Sequence, residues 1–195
     1  MKTVLMRFGV RRALLLWLLL LSLPSALLIM LATTPRTAVA NAAAVKQLLP
    51  EASVIGSGSF RWLGLKLYDA SLWVDRSNFN PDTWQRAPLA LELNYARTLE
   101  GKRIAEASID EMKKLGIGSA AQHKAWGEAM RQVFPDVDKT TQLTGLYAPG
   151  QATRFFRNGV AIGEITDPEF GPAFFAIWLH PKTTAPKLRT ALLGR

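Results

Sequence analysis

Between residues 89 and 115 the apolar period of the chain changes from two to between three and four. In LALELNY, residues 89–95, Leu89, Leu91, Leu93 and Tyr95 fall on one side, and Ala90, Glu92 and Asn94 on the other. Such alternation is the pattern of a strand whose two faces meet different surroundings. Over residues 100–115, Ile104, Ala105, Ser108, Ile109, Met112 and Leu115 recur at threes and fours and form one apolar stripe on a helix. Lys102 and Glu106 are spaced to pair on its outer side, and Gly116 is placed as a C-cap.

The same reading extends along the chain. Residues 41–50 are a short lead-in, and 52–57 and 60–75 are strand-like runs. The second run changes face partway, from Leu63, Leu65 and Leu67 to Tyr68, Ala70, Leu72 and Val74. A switch of that kind means either a bend or bulge, with Gly64 as its place, or a strand covered on both faces. Residues 76–87 are a loop with one helical turn after Pro81. A second helix over 120–133 is expected to turn Ala121, Ala125, Ala129, Met130 and Val133 inward. Short strands follow at 143–147, 152–157 and 160–165, the last two joined by Asn158-Gly159, a favoured two-residue hairpin turn. Asp167-Pro168-Glu169 reads as a helix start before an apolar body, Phe170 to Leu179, and Pro186 to Leu193 is a last short helix. Strands, two helices, strands, two helices make an α+β fold: an antiparallel sheet with a layer of helices on one face.

The first 40 residues have a different character. A basic start, MKTVLMRFGVRR, precedes the apolar run Ala13 to Ala32, and Ala38-Val39-Ala40 has the small-x-small pattern of a signal peptidase site. This order predicts a signal peptide over residues 1–40, with the domain at 41–195. The run is 20 residues long, with Pro24 inside it, so an uncleaved anchor is the alternative. The expected location is periplasmic or secreted; with the anchor kept, it is an inner-membrane protein with a periplasmic domain, touching the membrane through residues 13–32 alone. The formal charge of +9 belongs largely to the leader, which holds five basic residues and no acid. The remainder carries 19 basic and 15 acidic residues and no basic run longer than two, which argues against a nucleic-acid partner. There is no cysteine, so disulfides, thiol chemistry and cysteine metal sites are excluded.

Few residues point to chemistry. Gly-Ser-Gly-Ser at 56–59 begins like a phosphate loop, but the lysine and hydroxyl that complete one do not follow; strand-end glycines explain it. His123 and His180 are 57 residues apart without a second ligand at metal spacing, and read as surface residues. Asp110-Glu111 reads as a solvated helix face and Asp167 with Glu169 as a helix start. Phe170, Phe174, Phe175 and Trp178 are most simply core. Together with Trp62, Trp73, Trp84 and Trp126, they also suggest an apolar slot between helices and sheet. Arg61, Tyr68 and Arg97 lie in or at the ends of apolar strands, where an unpartnered polar group is costly. Each is either at a solvated rim, or paired with a local acid such as Asp69 or Glu100, or a contact for an anionic head group, Arg by its guanidinium and Tyr68 by its phenol.

The segments LKLYDASLWV, LALELNYAR with LEGKRIAEASIDEMKKLG, TRFFRNGVAIGEI and FGPAFFAIWLHPKTTAPKLRTALLG together resemble the bacterial branch of the chalcone isomerase-like family. The resemblance implies an open-faced sandwich with a ligand between sheet and helices. Plant members of the family close chalcones to flavanones; fatty-acid-binding members hold a carboxylate with an arginine and a tyrosine. Tyr68 falls where the binding proteins have tyrosine, and Arg61 on their arginine once a gap is allowed. The isomerases' second tyrosine, asparagine and threonine fall on Ile104, Glu111 and near Ile177. An apolar Ile104 cannot order a water or hydrogen-bond a ketone. The expectation is an exported, non-enzymatic domain, without cofactor or metal, that binds a hydrophobic, carboxylated small molecule through Arg61, Tyr68 and Arg97. The alternatives are an intramolecular lyase acting on phenolic substrates and a cell-envelope interaction protein.

Overall fold

The computed structural model describes residues 45–195; the leader or anchor expected at residues 1–40 lies outside them. Among the described residues, six strands form one antiparallel sheet in sequence order. They are β1 (Ser53–Trp62), β2 (Leu65–Val74), β3 (Leu89–Tyr95), β4 (Gln142–Tyr147), β5 (Thr153–Arg157) and β6 (Val160–Ile165). Helices α1 (Gly101–Lys114) and α2 (Ala120–Val133) are inserted between β3 and β4, and α3 (Phe170–Leu179) and α4 (Pro186–Leu192) follow β6. A 3-10 helix spans Pro81–Arg86, capped by the Asn80 side chain. The architecture is α+β, as the order of periodicities predicts. No helix of the described residues is long and apolar enough to cross a membrane.

The alternation in β3 sets the faces. Leu72 pairs with Leu91, Leu91 with Gly145 and Gly145 with Phe155, so one rung of inward-facing positions crosses four strands. Leu72, Val74, Leu89 and Leu91 meet Met112, Met130, Phe170, Phe175 and Leu179 from the helices in one core cluster, each 2% exposed or less. Burial of side chains this size contributes about 1.5–3 kcal/mol apiece. Helix α3 is apolar nearly all round and buried on most sides, the mark of an inner helix. The other face of the sheet carries a small second cluster: Val45, Ala52 and Ala90, with Leu49 and Trp73 against them.

Five details depart from the sequence-based expectations. The run 60–75 is not one bent strand. Leu63 and Gly64, with φ of 48° and 79°, form a two-residue turn between β1 and β2, and the apolar positions change face at Leu67, the extra residue of a bulge in β2 opposite Phe60 and Arg61. Gly56 and Gly58 are not strand ends. They lie inside β1, and a side chain at Gly56 would sit 2.1 Å from the Ala191 carbonyl oxygen, so their bareness lets α4 press on the strand. Helix α2 buries Trp126, Gly127 and Met130 and leaves Ala121 and Ala125 exposed, because the indole offers far more apolar area than two methyls. The N-cap of α3 is Glu169 and not Asp167; the Asp167 carboxylate accepts from the Glu169 amide at 2.9 Å and from Trp126 Nε1 at 2.7 Å, tying α2 to this turn. On α1 the ion pairs are Glu100–Arg103, Asp110–Lys113 and Glu111–Lys114; Lys102–Glu106 is not among them.

Candidate functional site

Next to the β1–β2 turn, three aromatic residues share the helix-covered face of the sheet. Phe60 pairs with Tyr68 across β1 and β2, and Tyr68 with Tyr95 across β2 and β3. The Phe60 and Tyr68 rings stack with centroids 5.2 Å apart, and Tyr95 meets Tyr68 edge-on at 5.8 Å. Helix α3 lies above them, and Trp178 near its end donates its indole N–H to the Tyr68 hydroxyl at 3.0 Å.

Tyr68 keeps part of its surface open, but its hydroxyl lies deep among the rings. Burial pushes its phenol well above the ordinary value; the Trp178 hydrogen bond opposes this, and the charge of Glu111 adds to it. Burial also raises Tyr95, helped by the neighbouring Tyr68. Both groups therefore stay neutral across the physiological range and are suited to donate a hydrogen bond, not to act as bases. Among the described residues, Tyr68 accepts from Trp178 but has no acceptor for its own proton, and the Tyr95 hydroxyl has no hydrogen-bond partner. Glu111 is held by Lys114 Nζ at 2.7 Å and by Thr184 Oγ1 at 2.6 Å.

The structure does not bring Arg61 to Tyr68. A register shift between Phe60 and Arg61, with Leu67 the extra residue on β2, sets the arginine at the turn, exposed, with Nη1 donating to the Gly64 carbonyl at 3.3 Å. Its charge is felt by Asp69, which alternates with Tyr68 to the outer face. Desolvation pushes the Asp69 carboxyl up, but hydrogen bonds from Lys66 and Ser59 and the charges of Lys66 and Arg61 outweigh it and hold it below the ordinary value. Arg97 lies two residues beyond Tyr95 at the same end of the sheet. It is exposed, its Nε donates to the Lys66 carbonyl at 3.2 Å, and its terminal nitrogens make no ion pair among the described residues.

The other sequence candidates have local roles. His123 bonds the Ile117 carbonyl at 2.7 Å, and Nδ1 of His180 accepts the Lys182 amide at 3.0 Å. No group of three or more histidine or acidic residues among the described residues could hold a metal ion. Ile104 is half-buried against the core, and the Ile177 carbonyl accepts from Thr183 Oγ1. Of the tryptophans expected at a slot, Trp84, Trp126 and Trp178 are in the core, Trp73 is on the outer face and Trp62 is exposed. A surface cleft of about 230 Å³, lined by residues 48–52 with Asp75, Asn78, Ala87 and Pro88, is at the far end of β2 from Tyr68. Sequence reasoning missed the parts played by Trp178 and Tyr95. The only signal for Trp178 was its membership of an aromatic helix; for Tyr95 it was a phenol at an inward position.

The residues 53–194, from the first residue of β1 to the last but one of the chain, match the family described as chalcone isomerase-like. A Haemophilus influenzae protein described as uncharacterized is 28% identical over 141 residues, covering 72% of this chain and 67% of its own length. The crystal structure of an Arabidopsis thaliana fatty-acid binding protein superposes with a TM-score of 0.59 at 10% identity, covering 74% of this chain and 87% of that one. At that identity the likeness is one of fold. The family match takes in all six strands and α1 to α4, and the chain belongs to the chalcone isomerase-like family.

Proposed function

We propose that the domain binds an elongated apolar molecule with a hydrogen-bond-accepting head, a carboxylate by preference, against the helix-covered face of the sheet at Tyr68. The observation that carries this reading is the Tyr68 hydroxyl, buried, neutral, oriented by Trp178 and with its own proton uncommitted among the described residues. A donor left without an acceptor at such a depth costs free energy, and an accepting head group relieves that cost. Tyr95 offers a second donor, and Arg97 a cation at the rim. Glu111, the acid whose charge acts on Tyr68, is already engaged by Lys114 and Thr184. The likeness in fold to a fatty-acid binding protein supports the ligand class. Arg61 stands apart from this head-group site and acts elsewhere.

Mass spectrometry of small molecules released from the purified chain tests the reading. A co-purified amphiphile is expected with the wild type and a much smaller amount with Tyr68→Phe. Equal amounts with both proteins would remove Tyr68 from the site. Export through residues 1–40 belongs to the same proposal. It predicts that the protein recovered from a bacterial envelope has lost those residues, which the intact mass measures.

A further inference from the structure

The β1–β2 turn exposes its apolar side chains to an extent unmatched at any other turn among the described residues. Trp62 is 60% exposed, Leu63 79% and Leu65 47%, and no heavy atom lies within 4 Å of where a Gly64 side chain would begin. The tip therefore stands clear of the fold and adds nothing to its core. Its backbone makes the choice of residue stranger still. Leu63 takes a left-handed φ of 48° at the first turn position, which disfavours a branched apolar side chain. The β5–β6 turn solves the same geometry with Asn158 at φ 50° and Gly159. One sheet thus contains the easy solution and a costly one, and the costly one displays a leucine to solvent. Strain and apolar exposure kept together at one place suggest a function for the side chain.

The surroundings say what kind of partner fits. Arg61 and Lys66 flank the tip, and the Arg97 guanidinium is tied to the Lys66 carbonyl. The one acid on β1 and β2 is Asp69, paired with Lys66 at 2.5 Å. A strand rises about 3.3 Å per residue, so Leu63 projects roughly 7 Å beyond Arg61. An apolar finger sinks about 5–10 Å into the headgroup and acyl boundary of a bilayer. With Leu63 at that depth, Trp62 sits at headgroup level, where indole is favoured, and the cations sit at the phosphates. From this match we infer that the β1–β2 turn docks the domain on an anionic lipid surface, with Trp62, Leu63 and Leu65 inserted and Arg61, Lys66 and Arg97 at the phosphates. Docking of this kind is independent of any small molecule held at Tyr68, although it would bring that site to the surface of a lipid store.

The chain contains no cysteine, so one introduced thiol reports one place. The full chains Leu63→Cys and Leu65→Cys, each labelled with a polarity-sensitive fluorophore, are mixed with vesicles of phosphatidylglycerol and phosphatidylcholine, or of phosphatidylcholine alone. Val160→Cys, at the first residue of β6 after the β5–β6 turn and 69% exposed in the wild type, serves as the reference position. The full chain also carries the apolar run of residues 13–32, so the readout is depth at a position and not attachment. On anionic vesicles, labels at 63 and 65 are expected to shift to the blue and brighten while the label at 160 stays unchanged. On neutral vesicles their response is smaller. Arg61→Ser in the Leu63→Cys background reduces the partitioning of the tip about fivefold. Labels at 63 and 65 that remain as wet as the label at 160 on both vesicles would overturn the inference, and would leave a protein partner as the occupant of the tip. An equal response on both vesicles, unaffected by Arg61→Ser, would overturn the role of the cations.

Discussion

Trp178 and Tyr68, 110 residues apart, are joined by a hydrogen bond from indole to phenol at 3.0 Å, which ties the last long helix to the second strand. The bond fixes the Tyr68 oxygen and leaves its proton pointing elsewhere. If it couples helix and sheet, the two residues should behave as a pair. The variants Tyr68→Phe, Trp178→Phe and their combination form a double-mutant cycle in urea denaturation. The expected coupling is about 0.5–1.5 kcal/mol, with Tyr68→Phe alone destabilising by about 1–3 kcal/mol because the indole N–H loses its acceptor. Additive effects would mean that the bond contributes nothing to stability.

The contact between β1 and α4 rests on a missing side chain. Gly56→Ala sets a methyl against the Ala191 and Leu192 backbone, which cannot swing aside as a side chain could. A loss of about 1–3 kcal/mol or more is expected. Gly64→Ala meets no atom and suffers only the cost of its left-handed φ of 79°, about 1 kcal/mol. Thermal melts of the two variants should rank in that order.

Relieving the strained turn should help the fold. Leu63→Asn places at φ 48° a residue that tolerates this region, as Asn158 does in the β5–β6 turn. A gain of about 0.5–1 kcal/mol is expected, measured as a higher denaturation midpoint. A loss would mean that Leu63 makes stabilising contacts despite its exposure.

Glu92 is buried on the outer face of β3, 8% exposed. Burial pushes its carboxyl above the ordinary value, and the hydrogen bond from Asn94 offsets only part of that. The folded protein thus keeps a proton that the unfolded chain has already released. The stability contributed by this group is complete below the ordinary glutamate range, falls as pH rises through the raised value, and then levels off. Glu92→Gln keeps the shape and removes the titration. It should melt higher than the wild type at neutral pH and show little difference near about pH 4. A constant difference at all pH values would point to packing and not to charge.

Much of the architecture was legible because the signals were local and redundant. LALELNY and the stripe on α1 have periods that one backbone geometry alone satisfies, and Asn158-Gly159 names its own turn. Leu63-Gly64 was not legible as a turn, since a leucine in left-handed backbone is what turn chemistry argues against. The burial of α2 was misread because Ala121 and Ala125 recur at helical spacing but have too little surface to compete with Trp126. At the site, Tyr68 was visible as a polar group in an apolar strand. Its partner was not, because a bond between residues 68 and 178 leaves no trace in local spacing. The face taken by Arg61 depends on one extra residue opposite it, and alternation alone does not announce that shift.

The central claim is that the face of the sheet under α3 takes up an amphiphile by its head at Tyr68. Calorimetric titration of the delipidated full chain with a long-chain fatty acid tests it most directly. Saturable binding of one molecule per chain is expected, weakened about tenfold or more in Tyr68→Phe, the worth of one hydrogen bond to a charged group. The absence of saturable binding, or equal affinity in the two proteins, would contradict it.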